Sequence, residues 1–249
     1  MFKIVLTDVE LLKNTIPIIA EIIDEGVFKV DKNGISLLAP DRTMVSVVDF
    51  RLPSTAFEKY EVESDTSLGL NLANLVNVIK RIKGSDHVTL ELAKDSTRLK
   101  VTVEGNGKRV FEIPLLDIKD EKPPVDQLNF PGRIEIESAV VEDGIADADI
   151  VGDSVIFEAT PEFFRIYSKG DVSSTELEMA KKDSAMLKLH ATSNLRARYP
   201  LEYLKKMVKA AKLSKHTVLE FGNDYPMRLE FRAVDKAYLS FILAPRVEE

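Results

Sequence analysis

The sequence has no cysteine, no tryptophan and only three histidines. Without cysteine there can be no disulfide framework, no thiolate nucleophile and no Cys-ligated zinc or iron–sulfur site. His87, His190 and His216 stand apart, and none has a nucleophile or a ligand set beside it in sequence. Each reads as an ordinary structural or surface residue rather than a catalytic one. There is no Walker loop, no Gly-x-Gly-x-x-Gly run and no His-Glu-x-x-His. The pair in Gly105-Asn106-Gly107 is followed by no helix pattern and reads as a hairpin turn, not a phosphate loop. No uninterrupted apolar run reaches the roughly 18 residues of a membrane helix. The opening MFKIVLTDVE lacks the charged and apolar regions of a secretory signal. A cytoplasmic protein, with no membrane partner, no metal and no cofactor, is expected.

What remains is a globular composition. The 249 residues are 45% hydrophobic and 30% charged, enough for a core in one large domain or two ordinary ones. High charge without cysteine or tryptophan also suits a thermophile. Acidic residues outnumber basic ones, 41 to 34, for a net charge of −7. Taken whole, that is not the basic footprint of a nucleic-acid binder. Net charge hides segregation, so the positions of the basic residues matter more.

Periodicity gives the same order of elements twice: strand, helix, several strands, helix, several strands. The first half opens with a strand at Phe2–Leu6. Asp8 can cap a helix running to about Asp24, with Leu12, Ile16, Ile19 and Ile23 inward and Pro17 bending it on the polar side. Strands are expected at Val27–Val30, Ile35–Leu38 and Met44–Phe50. A helix over about Leu72–Lys83 follows, stopped by Gly84, then strands at His87–Leu92, Arg98–Val103 and Arg109–Ile113. Glu58, Glu61, Glu63 and Asp65 read as solvent-facing charge in a loop. In the second half a strand at Arg133–Glu137 precedes a helix over Ala139–Ile150. Strands follow at Ser154–Ala159, Phe163–Ser168, Ser174–Met179 and Met186–Ala191. A helix over Pro200–Leu213, with Pro200 at its first position, leads to strands Thr217–Phe221, Met227–Phe231 and Ala237–Leu243. NLANLVNVIKRIKGSDHVTLEL and PLEYLKKMVKAAKLSKHTVLEF match in pattern, so the halves read as two copies of one domain. Residues 1–117 and 133–249 are the copies. DIKDEKPPVDQLNFPG, within residues 118–132 and its borders, is an exposed connector. Much strand and only two helices per half make the class α+β, with antiparallel sheets carrying helices on one face.

The helix over Leu72–Lys83 carries Lys80, Arg81 and Lys83 and no acid. The helix over Pro200–Leu213 carries Lys205, Lys206, Lys209 and Lys212 against Glu202. One such helix is an ordinary solvated face. The same feature in matched helices of an acidic chain points to a phosphate-facing surface, sequence-independent and salt-sensitive. No aromatic platform accompanies it, so single-strand stacking is not suggested. The acids Glu142, Asp143, Asp147 and Asp149 lie on the remaining helix. Asp143 and Asp147 share a face, but no second acid-rich segment converges on them, which favours a solvated face over a Mg²⁺ nuclease site.

Four stretches resemble the proliferating cell nuclear antigen family of sliding clamps, of the archaeal and eukaryotic type. The tail LAPRVEE (243–249) is similar to the family's Leu-Ala-Pro-Lys/Arg ending and is the most specific. FGNDYPMRLEF (221–231), LAPDRTMVSVVDFRLP (38–53) and NLANLVNVIKRIKG (71–84) match the strand pair before it, the early loop and strand, and the first basic helix. The resemblance covers essentially the whole chain. It implies a non-catalytic processivity factor, a homotrimeric ring of two similar clamp domains per chain that encircles double-stranded DNA. Sheets would form the outer face and helices the inner face. The family's hole would take Lys13, Lys80, Arg81, Lys83, Lys205, Lys206, Lys209 and Lys212. Its partner groove under the connector would take Met44, Val45, Leu128, Phe130, Pro131, Pro226, Ile242, Ala244 and Pro245. DNA polymerase, clamp loader, flap endonuclease and DNA ligase would dock there through short peptide motifs. Leu128 and Phe130 could equally pin the connector onto the sheet.

The resemblance also implies rings closed by edge strands. Arg109, Val110, Phe111 and Ile113 align with one edge, and Thr175, Leu177 and Met179 with the other. The family's second-domain first helix is often basic, whereas here it is acidic. Asp143 and Asp147 are therefore expected to pair with Arg81, Lys83, Lys108 or Arg109 of a neighbouring subunit. One subunit of a heterotrimeric clamp, or a peptide-binding adaptor without DNA, are the alternatives, with an enzyme behind both.

Overall fold

The computed structural model describes residues 1–6 and 8–247. The first half contains β1 (Phe2–Leu6), α1 (Glu10–Ile19), β2 (Glu25–Asp31), β3 (Gly34–Pro40), β4 (Ser46–Pro53), β5 (Phe57–Val62), β6 (Thr66–Asn71), α2 (Leu72–Ile79), β7 (His87–Leu92), β8 (Arg98–Gly105) and β9 (Gly107–Pro114). The second half contains β10 (Gly132–Glu137), α3 (Ser138–Val151), β11 (Ser154–Ala159), β12 (Phe163–Lys169), β13 (Ser174–Ala180), β14 (Met186–Ala191), β15 (Leu195–Pro200), α4 (Leu201–Met207), β16 (His216–Phe221), β17 (Met227–Ala233) and β18 (Ala237–Leu243). The element order is identical in the two halves, and the class is α+β.

The chain divides into two compact units. One holds residues 1–42, 48–123 and 233–239, and the other holds 43–47, 124–232 and 240–249. In the first, a five-stranded sheet runs β5-β1-β7-β8-β9, and a second run has the order β4-β3-β2-β6. In the second, the order β14-β10-β16-β17-β18 accompanies a four-stranded sheet β13-β12-β11-β15. All registered pairs within these sheets are antiparallel. The strands β9 and β13 lie at the ends of their sheets.

Several elements differ from expectation for local reasons. Asp8 does accept from the Glu10 amide, at 3.0 Å, but α1 ends at Ile19 rather than near Asp24. Pro17 is accommodated inside α1, and beyond Ile19 the chain tightens into i→i−3 turns at Glu21 and Ile22. Asn71 caps α2 by accepting from the Asn74 amide at 3.0 Å. The helix then stops at Ile79, and Arg81 and Ile82 donate three residues back instead of four. Its counterpart changes in the same way: α4 ends at Met207 and continues as a 3₁₀ helix over Val208–Leu213. Pro200 is the extended residue before α4, not its first turn. Met44 has φ of 59° and precedes β4 rather than opening it. Glu58 and Glu61, read from sequence as loop, are in β5, while β6 and β15 were not foreseen at all. At Gly69 in β6 a Cβ would collide with the Leu116 carbonyl oxygen, whose amide donates to Gly69 O at 2.8 Å. That close approach explains a glycine inside a strand.

The duplicated units have unequal cores. In the first, Phe2 on β1 faces Leu92 on β7; at the equivalent register of the second, Gly132 faces Phe221. Leu70 and Tyr199 occupy the same step before α2 and α4. The second core stacks Phe157 on Phe164 at 6.0 Å, with Tyr199 and Phe221 tilted against Phe157 at 5.8 and 6.4 Å. Tyr199 is fully buried, and its hydroxyl donates to Tyr225 O at 2.7 Å. Burial, with the nearby Asp224 charge, pushes that hydroxyl far above its ordinary pKa, so it remains a donor. The first core, lined by residues of both helices and both strand sets, keeps an apolar cavity of about 50 Å³.

The asymmetry is testable with one methylene. Val101 lines the cavity, whereas Val155 is fully buried in the aromatic-packed unit. Val101→Ile should stabilise the first unit by up to about 0.8 kcal/mol. Val155→Ile should destabilise the second by about 1–3 kcal/mol through overpacking. Urea unfolding midpoints check both, and equal losses would mean that the two cores are equally full.

Candidate functional site

The residues singled out in sequence fall into three sets, described unit by unit. The first is cationic. Lys80, Arg81 and Lys83 follow α2, and Lys209 and Lys212 lie on the 3₁₀ helix after α4; all five are exposed. Lys80 and Lys83 occupy the positions of Lys209 and Lys212 in the matched segments. Residues three apart eclipse in 3₁₀ geometry, so Lys209 and Lys212 share a face. Lys80, Arg81, Lys83 and Lys212 make no ion pair among the described residues. The other three cations are held locally. Lys13 Nζ lies 2.7 Å from Glu10, Lys205 Nζ lies 2.9 Å from Asp149 on α3, and Lys206 Nζ stands 5.6 Å from the Tyr203 ring centre. The exposed cations thus concentrate at the C-terminal ends of α2 and α4, whose dipoles favour positive charge there.

The second surface belongs to the second unit, and the structure sorts its predicted residues into two groups. Val45, Ala244 and Pro245 line a concavity of about 730 Å³ with Thr43, Asp149, Asp153, Leu201, Glu202, Tyr203, Lys205 and Arg246. Ala244 N donates to Val45 O at 2.9 Å and Arg246 N donates to Arg198 O at 2.7 Å, which seats the tail as far as Arg246. Glu248 and Glu249 of the LAPRVEE stretch lie outside the described residues. Arg246 is fixed 2.6 Å from Asp153, and its hydrogen bond holds that carboxyl below its usual range. Met44 is exposed beside Val45, at 63%, while Ile242 is buried.

The other group surrounds the end of the connector. Phe130 is half-buried: its ring meets Tyr225 edge-on at 5.8 Å and lies under the Arg228 guanidinium at 4.9 Å. Arg228 is braced by Glu220 at 3.0 Å, and Glu220 by Arg133 at 2.6 Å. Pro131 packs where a Cβ on Gly222 would stand 3.0 Å away. Leu128 and Pro226 are half-buried. Tyr225, Arg228 and Glu220 were missed in sequence. Tyr225 and Arg228 lie within FGNDYPMRLEF, but only their tertiary contacts single them out.

The third surface is the pair of edges. On β9, Arg109, Phe111 and Ile113 alternate with exposed Lys108, Val110 and Glu112. On β13, Thr175, Leu177 and Met179 alternate with exposed Glu176 and Glu178. Arg109 is occupied within the chain: it pairs with the buried Asp86 at 2.6 Å and donates to Arg81 O at 2.9 Å. Arg109 is thus already engaged inside the chain. On α3, Asp143 and Asp147 are exposed, and Asp149 is the acid already paired, to Lys205. Among the described residues no group of three or more His, Asp or Glu side chains is placed to hold a metal ion, and no helix is long and apolar enough to cross a membrane.

Comparison with known proteins identifies the family. Residues 1–121 match the model of the proliferating cell nuclear antigen N-terminal domain, and residues 125–246 match that of its C-terminal domain. The chain is 33% identical, over 100% of its length and 99% of the relative's, to DNA polymerase sliding clamp 1 of Thermococcus kodakarensis. It is 32% identical, with the same coverage, to the DNA polymerase sliding clamp of Pyrococcus furiosus. The crystal structure of PCNA from Thermococcus kodakaraensis superposes with a TM-score of 0.91 at 26% identity, covering 99% of this chain and all of that one. That of Entamoeba histolytica, at 22% identity and a TM-score of 0.89 over 99% of both chains, shares the fold. With both domain models matched across nearly its whole length, the chain belongs to the proliferating cell nuclear antigen family.

Proposed function

We propose that this chain is a non-catalytic sliding-clamp subunit. Three copies close into a ring around duplex DNA, and the ring tethers DNA polymerase and other replication proteins. The carrying observation is the repetition of exposed cations at equivalent places, Lys80 with Lys209 and Lys83 with Lys212, in a chain of net charge −7. Lysines without base-reading neighbours bind phosphates at any sequence, and the contacts are weak enough to slide. Arg81 belongs with them. Lys13, Lys205 and Lys206 stand at the margin of this surface, because Glu10, Asp149 and Tyr203 already engage them.

The partner groove is proposed on the second unit. Met44, Val45, Ala244 and Pro245 form one wall, and Leu128 with Pro226 presents apolar surface near the connector. Phe130 and Pro131 shape the connector from below. An apolar side chain of a docking peptide would cover what these residues leave exposed. Polymerase, clamp loader, flap endonuclease and ligase are the partner classes that fit a clamp. The edges β9 and β13 would close the ring, since unpaired edges are otherwise liabilities.

Two measurements test these readings. After loading with a clamp loader and ATP, the protein should stay on nicked circular DNA through a high-salt wash and be lost from open-ended linear DNA. Equal loss from both substrates would exclude encirclement. Lys80→Glu, Lys83→Glu, Lys209→Glu and Lys212→Glu combined should weaken low-salt DNA binding and loading without altering subunit assembly. For the groove, Leu128→Ala with Phe130→Ala should weaken polymerase binding by at least about tenfold while rings still form. Unchanged polymerase affinity would remove the connector from the docking site.

A further inference from the structure

Two asparagines in the chain precede glycine: Asn33 before Gly34 and Asn106 before Gly107. Such a pair is chemically labile. Glycine carries no side chain to screen its backbone nitrogen from the amide carbon of the asparagine, and it leaves the chain free to bring the two together. Both pairs lie at hairpin turns of the first unit, one between β2 and β3 and the other between β8 and β9. Both asparagines are exposed. In sequence the two sites are alike, and only their surroundings in the fold separate them.

The Asn33 site is locked. Asp31 Oδ1 accepts from the Asn33 amide at 2.6 Å and from the Gly34 amide at 3.2 Å. Asn33 O accepts from the Ser54 amide at 2.7 Å. The peptide plane between Asn33 and Gly34 is therefore bonded at both its nitrogen and its oxygen. The Asp31 carboxylate also keeps the proton on the Gly34 nitrogen, since a negative neighbour disfavours forming an anion there. Gly34 is pressed against β4, where a Cβ on it would collide with Leu52 O. The Asn106 site has no such restraint. Among the described residues no side chain bonds to Asn106 or to Gly107. A Cβ on Gly107 would meet nothing within 4 Å, and the stretch from Gly105 to Lys108 is exposed. Gly105 alone is packed, against the Asp86 carboxylate.

We propose that Asn106 is a site of self-catalysed deamidation, and that the fold protects Asn33 from the same reaction. The Gly107 nitrogen gives its proton to a base in solvent and attacks Asn106 Cγ. A bond forms between that nitrogen and Cγ, the bond from Cγ to Nδ2 breaks, and Nδ2 leaves as ammonia with a proton taken from water. Water then opens the cyclic imide and returns a proton to the Gly107 nitrogen. Attack at Cγ leaves aspartate. Attack at the main-chain carbonyl carbon of Asn106 leaves isoaspartate, with the chain running through the former side chain. Either way one water is consumed, one ammonia is released, and nothing is oxidised or reduced. The new carboxylate enters the chain between Glu104 and Lys108, whose side chains stand 3.7 Å apart. The isoaspartyl product also lengthens the turn by one backbone carbon. The change is slow and needs no enzyme, so the modified fraction grows with the age of the molecule and with temperature, as expected of a thermolabile asparagine.

The test incubates the whole protein at mildly alkaline pH, warm but below its unfolding midpoint, and follows the digested peptides by mass. Each deamidation adds about one dalton, and isoaspartate is read by enzymatic methylation of its carboxyl group. In the folded protein the Asn106 peptide should convert at least about tenfold faster than the Asn33 peptide, because the hydrogen bonds on the Asn33 peptide plane must break before attack. In concentrated urea, where those bonds are lost, the two should convert within about twofold of each other. Asn106→Gln would need a larger ring for the same attack, so its peptide should gain no mass over the time in which wild type converts. A folded protein in which Asn106 converts no faster than Asn33, whether both react or neither does, would overturn the proposal. A gap that persists unchanged in urea would show that the fold does not protect Asn33. A mass gain that survives Asn106→Gln would place the reaction elsewhere.

Discussion

An open sheet edge is a row of backbone donors and acceptors with no partner, and this chain ends one sheet on β9 and another on β13. Much of the rest follows from that constraint. Among the described residues the three sheets end on β5, β9, β14, β6, β13 and β15, and each such edge invites strand addition unless it is covered or paired. The β13 edge carries exposed Glu176 and Glu178, and the β9 edge carries exposed Lys108. In the proposed ring, duplication supplies one edge from each unit, so a head-to-tail contact would repeat identically from copy to copy and close when the rotation allows. Function then needs no catalytic group. It needs a closed path and a surface that tolerates any DNA sequence.

Duplication kept the element order and changed the contents. The matched helices retain apolar faces and cations near their ends, as covering a sheet and, in the proposed ring, facing phosphate would require of both units. The cores diverged. At this step the ring is Phe2, opposite Leu92, in one unit and Phe221, opposite Gly132, in the other, with Tyr199 added. Tyr199 also links core to surface, since its hydroxyl holds the Tyr225 carbonyl while the Tyr225 ring supports Phe130. The connector end is thus anchored to the best-packed part of the second unit. Arg228, Glu220 and Arg133 brace it from the neighbouring strands.

Amphipathic helices and strongly alternating strands were legible because a 3.6- or 2-residue period survives without tertiary information. The twofold repeat, the class and the exposed cations were legible for the same reason. Strand β5 was not, because Glu58, Lys59 and Glu61 leave FEKYEV without a full apolar face, and Gly69 disguised β6. Helix ends were misjudged where α geometry gives way to 3₁₀ turns after Ile79 and Met207, since apolar spacing barely distinguishes the two. The pairing of charges was not legible at all. That Asp149 holds Lys205, Asp86 holds Arg109 and Arg228 covers Phe130 depends on distant segments meeting in space. The groove residues were named through family resemblance, and their division into a tail-side concavity and a connector-end cluster came only with the coordinates.

The most direct test is the mass of the assembled protein by light scattering after size exclusion, followed through a dilution series at low and high salt. Edge closure by identical subunits predicts a species of three times 27.9 kDa at micromolar concentration, losing stability as salt rises. A monomer persisting at every concentration and salt would contradict self-closure, because the β9 and β13 edges of identical chains would then not recognise each other.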